Sequence, residues 1–117
     1  MKQLSGGYMN ECENIKTALR SFSAERDWDQ FHNGKDLSLA LSIEAAELLE
    51  AFLWKKPENV APEKVREELA DVFLYAFMIA DKYGLDVSQI CEDKMRRNAL
   101  KYPVEKARGI AKKYSEL

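Results

Sequence analysis

The chain has 117 residues, 46% of them hydrophobic and 32% charged, and a net charge of −2. A chain of this length and composition is expected to form one domain with a modest apolar core. It has no basic excess of the kind that binds nucleic acid polymers, so any polyanionic partner should be small. No stretch reaches the roughly 18 apolar residues of a membrane span. We therefore expect neither a nucleic acid polymer nor a membrane as a partner.

The two cysteines, Cys12 and Cys91, stand far apart and have no second Cys or His at the spacing of metal ligands. This usage is typical of free thiols in a reducing compartment. The sequence therefore predicts a cytoplasmic protein without a zinc site.

The first half of the chain predicts two helices. Apolar residues recur at three- or four-residue spacing from Glu11 to Ala24, which indicates a first helix after a flexible stretch, residues 1–9. A loop rich in aromatic residues follows over Glu25–Lys35. Asp36 is then expected to cap the second helix, Leu37–Trp54.

The second half predicts two more helices. Pro62 suits the first turn of a third helix, which should run to about Tyr83 with Gly84 as its C-terminal cap. Asp86 is expected to cap a fourth helix that ends before Pro103. The charged tail after it is expected to be either partly helical or an arm that lies on another surface. No segment alternates apolar and polar residues as a half-buried strand would.

These elements predict an all-α protein, a four-helix-type bundle in a single domain over residues 10–117. The second and third helices are apolar around most of their circumference, which is more than one small bundle buries. Their apolar residues include Leu37, Leu39, Leu41, Ile43, Leu48, Leu49, Phe52, Leu53, Val72, Phe73, Leu74, Phe77, Met78 and Ile79. We therefore expect a homo-oligomer, a dimer or a tetramer, packed through these two helices.

Two acidic pairs stand inside these apolar segments: Glu44 with Glu47, and Glu68 with Asp71. On a helix that turns about 100° per residue, Glu44 falls within roughly 60° of four apolar residues, and Glu68 within roughly 40° of three. Carboxylates on buried faces need protons, basic side chains or cations to neutralise them. Mg²⁺ prefers carboxylate oxygens and leaves positions for phosphates. We expect these four residues to hold Mg²⁺, with Mn²⁺ as a substitute.

An aromatic residue follows each acidic pair at helical spacing. Trp54 lies seven residues after Glu47, two turns along the same helix face, and projects about 20° from it. Tyr75 has the same relation to Glu68. Both rings are therefore predicted to stand beside the acids.

The loop before the second helix adds Trp28, Phe31 and His32. Together with Trp54 and Tyr75 they are predicted to form a slot for a flat heterocycle, where stacking contributes ~1–3 kcal/mol. The alternative for each aromatic residue alone is ordinary core packing, and for His32 a surface or capping role.

The fourth helix carries a basic face. Lys94, Arg97, Asn98 and Lys101 lie at spacings that bring them within roughly 100° of arc. Such a face suits a polyphosphate, and Lys94 and Asn98 are the candidate contacts. The alternative is a solvated run of charge near a helix C-terminus, where basic residues are favoured anyway.

The acidic pairs give the sequence its resemblance to a known family. Glu44-Ala45-Ala46-Glu47 followed by Glu68-Leu69-Ala70-Asp71 resembles the E-x-x-E and E-x-x-D signature of the MazG-like all-α nucleoside triphosphate pyrophosphohydrolases. The likeness is strongest to the dCTP pyrophosphatase branch and covers nearly the whole chain from Ile15. Supporting segments are 24–32, 52–55, 94–98 and 101–104, together with Arg108-Gly109.

The resemblance implies cleavage of a nucleoside triphosphate between its α- and β-phosphates, as nucleotide-pool house-cleaning. It implies that Glu44, Glu47, Glu68 and Asp71 bind Mg²⁺, and Glu47 is our candidate for orienting the attacking water. It also implies that seven further residues contact the nucleotide. These are Trp28, Phe31, His32, Trp54, Tyr75, Lys94 and Asn98.

The preferred substrate is therefore dCTP or a modified dCTP. Leu19 stands where a substrate-contacting His is matched in animal members, which predicts weaker selection for cytosine. Two alternatives remain: a broad-specificity pyrophosphohydrolase, and a non-catalytic helical oligomerisation module. In the second, Lys94 and Arg97 would neutralise the acids.

Overall fold

A computed structural model of the chain describes residues 10–117, and every regular element in that range is helical. The predicted all-α class is confirmed. Residues 10–84 form one compact unit, and residues 85–117 form a second. Within the described part of the chain no helix is both long and apolar enough to cross a bilayer. The expected flexibility of residues 1–9 falls outside the described range, and the single-domain assignment stays a prediction.

The first unit contains three long helices: α1 (Glu11–Glu25), α2 (Gly34–Glu50) and α3 (Pro62–Lys82). Short 3₁₀ turns at Asp29–Phe31 and Pro57–Asn59 lie in the two connections. The α3 helix packs against both α1 and α2. As predicted, α3 starts at Pro62. The predicted cap residue at its C-terminal end, Gly84, is in the left-handed region.

The start of α2 differs from the prediction. The cap is Asn33, whose side-chain oxygen accepts a hydrogen bond from the Asp36 backbone N–H at 2.8 Å. The Asn33 amide also donates to the Asp36 carboxylate at 2.8 Å. Both residues are good caps, and this reciprocal pair places the first turn three residues earlier than expected. The assignment of Asp36 as the cap was wrong.

The end of α2 also differs. The helix stops at Glu50, and residues 51–54 form tight turns that end with Trp54 in the left-handed region at φ +64°. The Pro57 ring restricts Lys56 to extended backbone, and Lys56 has ψ 145°. The helix thus ends four residues before the predicted end, and the extended backbone at Lys56 keeps it from resuming before Pro57.

The helices α2 and α3 run antiparallel. Gly34, at the start of α2, lies under the side chain of Tyr83, at the end of α3, so closely that a Cβ atom would meet the tyrosine hydroxyl. Leu37 is the most buried large residue at 2% exposure, and Phe77 and Ala80 are buried on α3. These residues form the small core of the unit.

A bidentate ion pair joins α1 to α3. The Arg20 guanidinium donates to both Asp81 carboxylate oxygens, with Nε at 3.0 Å from each and Nη2 at 2.5 Å from Oδ1. The guanidinium lowers the pKa of Asp81, because the hydrogen bond and the charge both favour the ionised carboxylate. This pair fixes α1 near the C-terminal end of α3.

The second unit contains α4 (Val87–Lys101), the one-turn α5 (Val104–Ala107) and a 3₁₀ turn at Tyr114–Glu116. The predicted cap is confirmed, since the Asp86 side chain accepts from the Gln89 N–H at 2.9 Å. The partly helical tail is confirmed as well.

Candidate functional site

The antiparallel packing of α2 and α3 brings the two acidic pairs together. Glu44 and Glu47 are one turn apart on α2, and Glu68 and Asp71 are one turn apart on α3. Glu44, Glu68 and Asp71 each offer a carboxylate oxygen within 4.8 Å of the others. Glu47 is within hydrogen-bonding reach of both Glu44 and Glu68. We call these four residues the carboxylate cluster.

The cluster disfavours full ionisation. The pKa of Glu44 is raised from its ordinary value of 4.5 to about 7, chiefly because its carboxyl group hydrogen-bonds to Glu47. Partial burial and the negative charges of Glu47, Asp71 and Glu68 raise it further. Near neutral pH, Glu44 is therefore partly protonated. A cation bound at the cluster would replace this proton.

Glu68 behaves in the opposite way. It is only 8% exposed, yet its pKa is lowered, chiefly by a hydrogen bond from the Lys64 ammonium. Lys64 Nζ lies 2.9 Å from Glu68 Oε1, one turn earlier on the same helix. Glu68 therefore stays ionised although it is buried.

The donor set suits a hard divalent cation. All four candidate ligands are carboxylates, which is the chemistry that Mg²⁺ prefers over nitrogen or sulfur ligands. Glu44 Oε2 and Glu68 Oε2 are both buried and have no hydrogen-bond partner. Buried carboxylate oxygens without a partner are costly unless a cation or proton meets them. The residues present thus fit a metal ion.

Trp54 does not stand where the helical projection placed it. It is beyond the end of α2, in a left-handed turn, and its residue surface is 99% exposed. The projection of Trp54 onto the face of Glu47 was therefore wrong, because it assumed four more helical residues. The ring remains fully available to a partner molecule.

The loop with Trp28, Phe31 and His32 lies before the start of α2. Glu44 is ten residues into α2 from Gly34, which at 1.5 Å per residue is about 15 Å along the helix axis. The loop aromatics therefore lie away from the carboxylate cluster and from Trp54, and the described part of the chain does not bring them together in the single slot that the sequence predicted.

These three loop side chains differ in exposure. Phe31 is 61% exposed, and Trp28 packs edge-to-face on Phe22 with ring centroids 5.7 Å apart. His32 is half-buried and lines a cavity of about 230 Å³. The remaining lining residues are Leu19, Arg20, Ser23, Asp29, Leu37, Met78, Asp81 and Lys82.

The other predicted contacts lie on two different helices. Tyr75 is half-buried on α3, two turns after Glu68, as predicted. Lys94 and Asn98 are exposed one turn apart on α4, in the second unit.

Sequence reasoning missed Lys64. Its position four residues before Glu68 on a predicted helix was a sufficient signal for an ion pair. The basic residues considered instead as partners of the acids, Lys94 and Arg97, were chosen for their common face on α4.

The chain resembles characterised proteins over most of its length. The model of the MazG-like family matches residues 39–117. The chain is 39% identical to dCTP pyrophosphatase 1 of Bos taurus over 90% of its own length and 67% of that protein. For the Homo sapiens protein of the same name the identity is 38%, over 90% of this chain and 66% of that one. The chain thus spans about two thirds of these relatives.

A solved structure shows the same fold. The crystal structure of a pyrophosphatase from Archaeoglobus fulgidus superposes with a TM-score of 0.76 and 31% sequence identity. The match covers 85% of this chain and 98% of the archaeal one. The family resemblance deduced from the acidic pairs is confirmed: the chain belongs to the MazG-like family.

Proposed function

We propose that the chain is a Mg²⁺-dependent dNTP pyrophosphohydrolase that converts dCTP or a modified dCTP to the monophosphate and pyrophosphate. The class of enzyme rests on the relatives, which are named pyrophosphatases, and on the family match over residues 39–117. The chain is thus a nucleotide pyrophosphohydrolase. The carboxylate cluster is the observation that carries the rest of the proposal.

Glu44, Glu47, Glu68 and Asp71 would hold the metal ion. In support, Glu44, Glu68 and Asp71 converge within 4.8 Å, and two of their buried oxygens have no partner. A bound Mg²⁺ supplies charge neutralisation for the triphosphate and lowers the pKa of a coordinated water. Glu47 would orient the attacking water, and its hydrogen-bonding reach to both Glu44 and Glu68 supports this role.

The aromatic residues would bind the base and sugar. Trp28, Phe31 and His32 lie before the start of α2, and Trp54 lies beyond its end, about 25 Å away along the helix axis, so within one chain a single base would stack on one group or the other. Stacking accepts any heterocycle, so discrimination needs hydrogen bonds to base edges. Because Leu19 offers no such bond, we expect dCTP to be preferred only moderately over other pyrimidine nucleotides.

Phosphate contacts are proposed for the second unit. Lys94 and Asn98 share a face of α4, and both are exposed. An ammonium and an amide at this spacing could donate hydrogen bonds to the oxygens of a di- or triphosphate.

A nucleotide panel tests the substrate. Pyrophosphate release would be followed with Mg²⁺ for the canonical dNTPs and NTPs, dUTP and 5-methyl-dCTP. We expect the highest kcat/KM for dCTP or 5-methyl-dCTP. A preference of tenfold or more for dUTP or a purine, which is ~1.4 kcal/mol of transition-state discrimination, would contradict the dCTP assignment but not the reaction class.

Substitution of the cluster tests the metal site. Glu68→Ala and Asp71→Ala are expected to abolish turnover while the helical circular-dichroism spectrum persists. Glu63→Ala is the matched control, since Glu63 is an exposed acid on the same helix. Near-normal Mg²⁺-dependent activity of Asp71→Ala would show that the metal site lies elsewhere.

The exposed apolar surface supports a homo-oligomer, which we propose to be a dimer or tetramer. Large apolar side chains remain exposed on both central helices. They include Leu39, Ile43, Leu49, Leu69 and Phe73. Soluble monomers seldom expose contiguous apolar patches beyond a few hundred Å². Light scattering at micromolar concentration should give a multiple of 13.5 kDa, and a monomer mass would contradict this assembly. We place the enzyme in the cytoplasm, a reducing compartment that suits Cys12 and Cys91, neither of which forms a disulfide.

A further inference from the structure

Lys64 occupies an unusual position for an ordinary surface ion pair. It lies in the first turn of α3, where the helix dipole is positive and disfavours a cation. Its partner Glu68 follows it by four residues, which is the less stabilising order for such a pair. Helix stability alone therefore does not explain this lysine.

The contact itself reaches into the carboxylate cluster. The Lys64 side chain is 52% exposed, but its ammonium meets a carboxylate whose side chain is only 11% exposed. It binds Oε1 of Glu68, while Oε2 of the same group is buried and has no partner. The charges of Glu67 and Glu47 also raise the pKa of Lys64, after the larger effect of the Glu68 hydrogen bond. The ammonium thus sits in the field of several carboxylates.

Two cations cannot share Glu68 without cost. An ammonium 2.9 Å from Oε1 repels a divalent ion brought to Oε2 of the same carboxylate. The ammonium also makes the electrostatic potential of the whole cluster less negative. Both effects oppose metal binding and vanish if the ammonium moves into solvent, which its half-exposed side chain allows.

We propose that Lys64 is the resident counter-ion of the carboxylate cluster, which a divalent cation displaces from Glu68 when it binds. This inference rests on the proposed metal site. The lysine neutralises Glu68 in the metal-free protein and weakens metal affinity, so it sets the metal concentration at which the site fills.

Calorimetric titration of Mg²⁺ into nucleotide-free protein tests this. For Lys64→Met we expect a Kd about fivefold lower than that of the wild type, the factor that corresponds to about 1 kcal/mol for a partly exposed pair. Arg66→Met is the matched control, because Arg66 lies half a turn away, is 80% exposed and pairs with Glu63 at 3.7 Å. Its Kd should stay within about twofold of the wild type, since screening weakens more distant charges.

A second measurement uses the wild-type protein and depends on no variant. Amine-reactive labelling, read by peptide mass spectrometry, should be faster at Lys64 when Mg²⁺ saturates the site, relative to exposed Lys35. An unchanged labelling rate, or a Kd for Lys64→Met that is equal to or higher than that of the wild type, would overturn the inference. Wild-type protein that binds no Mg²⁺ would overturn the proposed metal site as well, so the two failures are distinguishable.

Discussion

Replacing Glu44 with Gln should have opposite effects on stability with and without Mg²⁺. The rise of the Glu44 pKa from 4.5 to about 7 means that the folded, metal-free protein resists ionising this group. The protonated Glu44 carboxyl group makes its full contribution to the stability of the folded state below pH 4.5. This contribution is lost as the pH rises through about 7. Gln keeps the shape of the protonated acid and cannot ionise. At pH 8 without metal, Glu44→Gln should therefore be more stable than the wild type.

The magnitude follows from the same pKa. A rise from 4.5 to about 7 corresponds to at most about 3–4 kcal/mol, and partial exposure of Glu44 reduces this to about 1–2 kcal/mol. Mg²⁺ at 100 times its Kd stabilises the wild type by about 2.7 kcal/mol. Glu44→Gln lacks the charge of one proposed ligand, so Mg²⁺ should stabilise this variant much less than the wild type. The order of stability should therefore reverse when Mg²⁺ is added.

Thermal unfolding at pH 8 and fixed protein concentration, in EDTA and in Mg²⁺, measures both effects. Glu63→Gln is the control, since its side chain is 82% exposed on α3, and it should respond to Mg²⁺ as the wild type does. Two results would refute the reasoning. One is an equal Mg²⁺ response of Glu44→Gln and the wild type, and the other is a variant less stable than the wild type in EDTA.

Three further changes follow from the structure. Asp81→Asn should lower the free energy of unfolding by about 1 kcal/mol in urea titrations at pH 7, through loss of the bidentate pair to α1. Because the folded pKa of Asp81 is lowered, this difference should shrink as pH falls below 3.8; a constant difference would contradict the ion-pair explanation. Trp54→Ala should leave the melting temperature unchanged, since the residue is exposed, but raise KM for dCTP; an unchanged KM would remove it from the substrate site. Gly34→Val should destabilise the fold by about 1 kcal/mol through a clash with Tyr83, and Tyr83→Ala should relieve most of that cost in a double-mutant cycle, whereas additive effects would contradict the contact.

Local sequence signals were sufficient where the structure depends on neighbours along the chain. The Asp86 cap, the Pro62 start of α3 and the acidic pairs all act within one helical turn, so spacing alone identified them. The two acidic pairs converge because the two apolar helices that carry them pack antiparallel.

Two errors arose where local signals compete. Asn33 and Asp36 are both good caps, and the choice between them is made by their mutual hydrogen bonds, which spacing does not rank. The apolar run continues past Glu50, but the backbone must leave the helix before Pro57. Trp54 was misplaced because the helix ends at Glu50, four residues before the predicted end, although the residues after it are apolar.

The positions of the loop aromatics depend on tertiary structure. Trp28 packs on Phe22, and His32 lines a cavity between α1 and α3 residues. No periodicity within Glu25–Lys35 predicts these contacts, so the sequence could suggest a binding role but not a location.

We propose that the carboxylate cluster supports hydrolysis between the α- and β-phosphates of a deoxynucleotide. Phosphorus-31 NMR of dCTP incubated with the protein and Mg²⁺ tests it most directly, with Asp71→Asn run in parallel. We expect dCMP and pyrophosphate as the products of the wild type, and no turnover by the variant. Release of dCDP and orthophosphate, or equal turnover by Asp71→Asn, would contradict it.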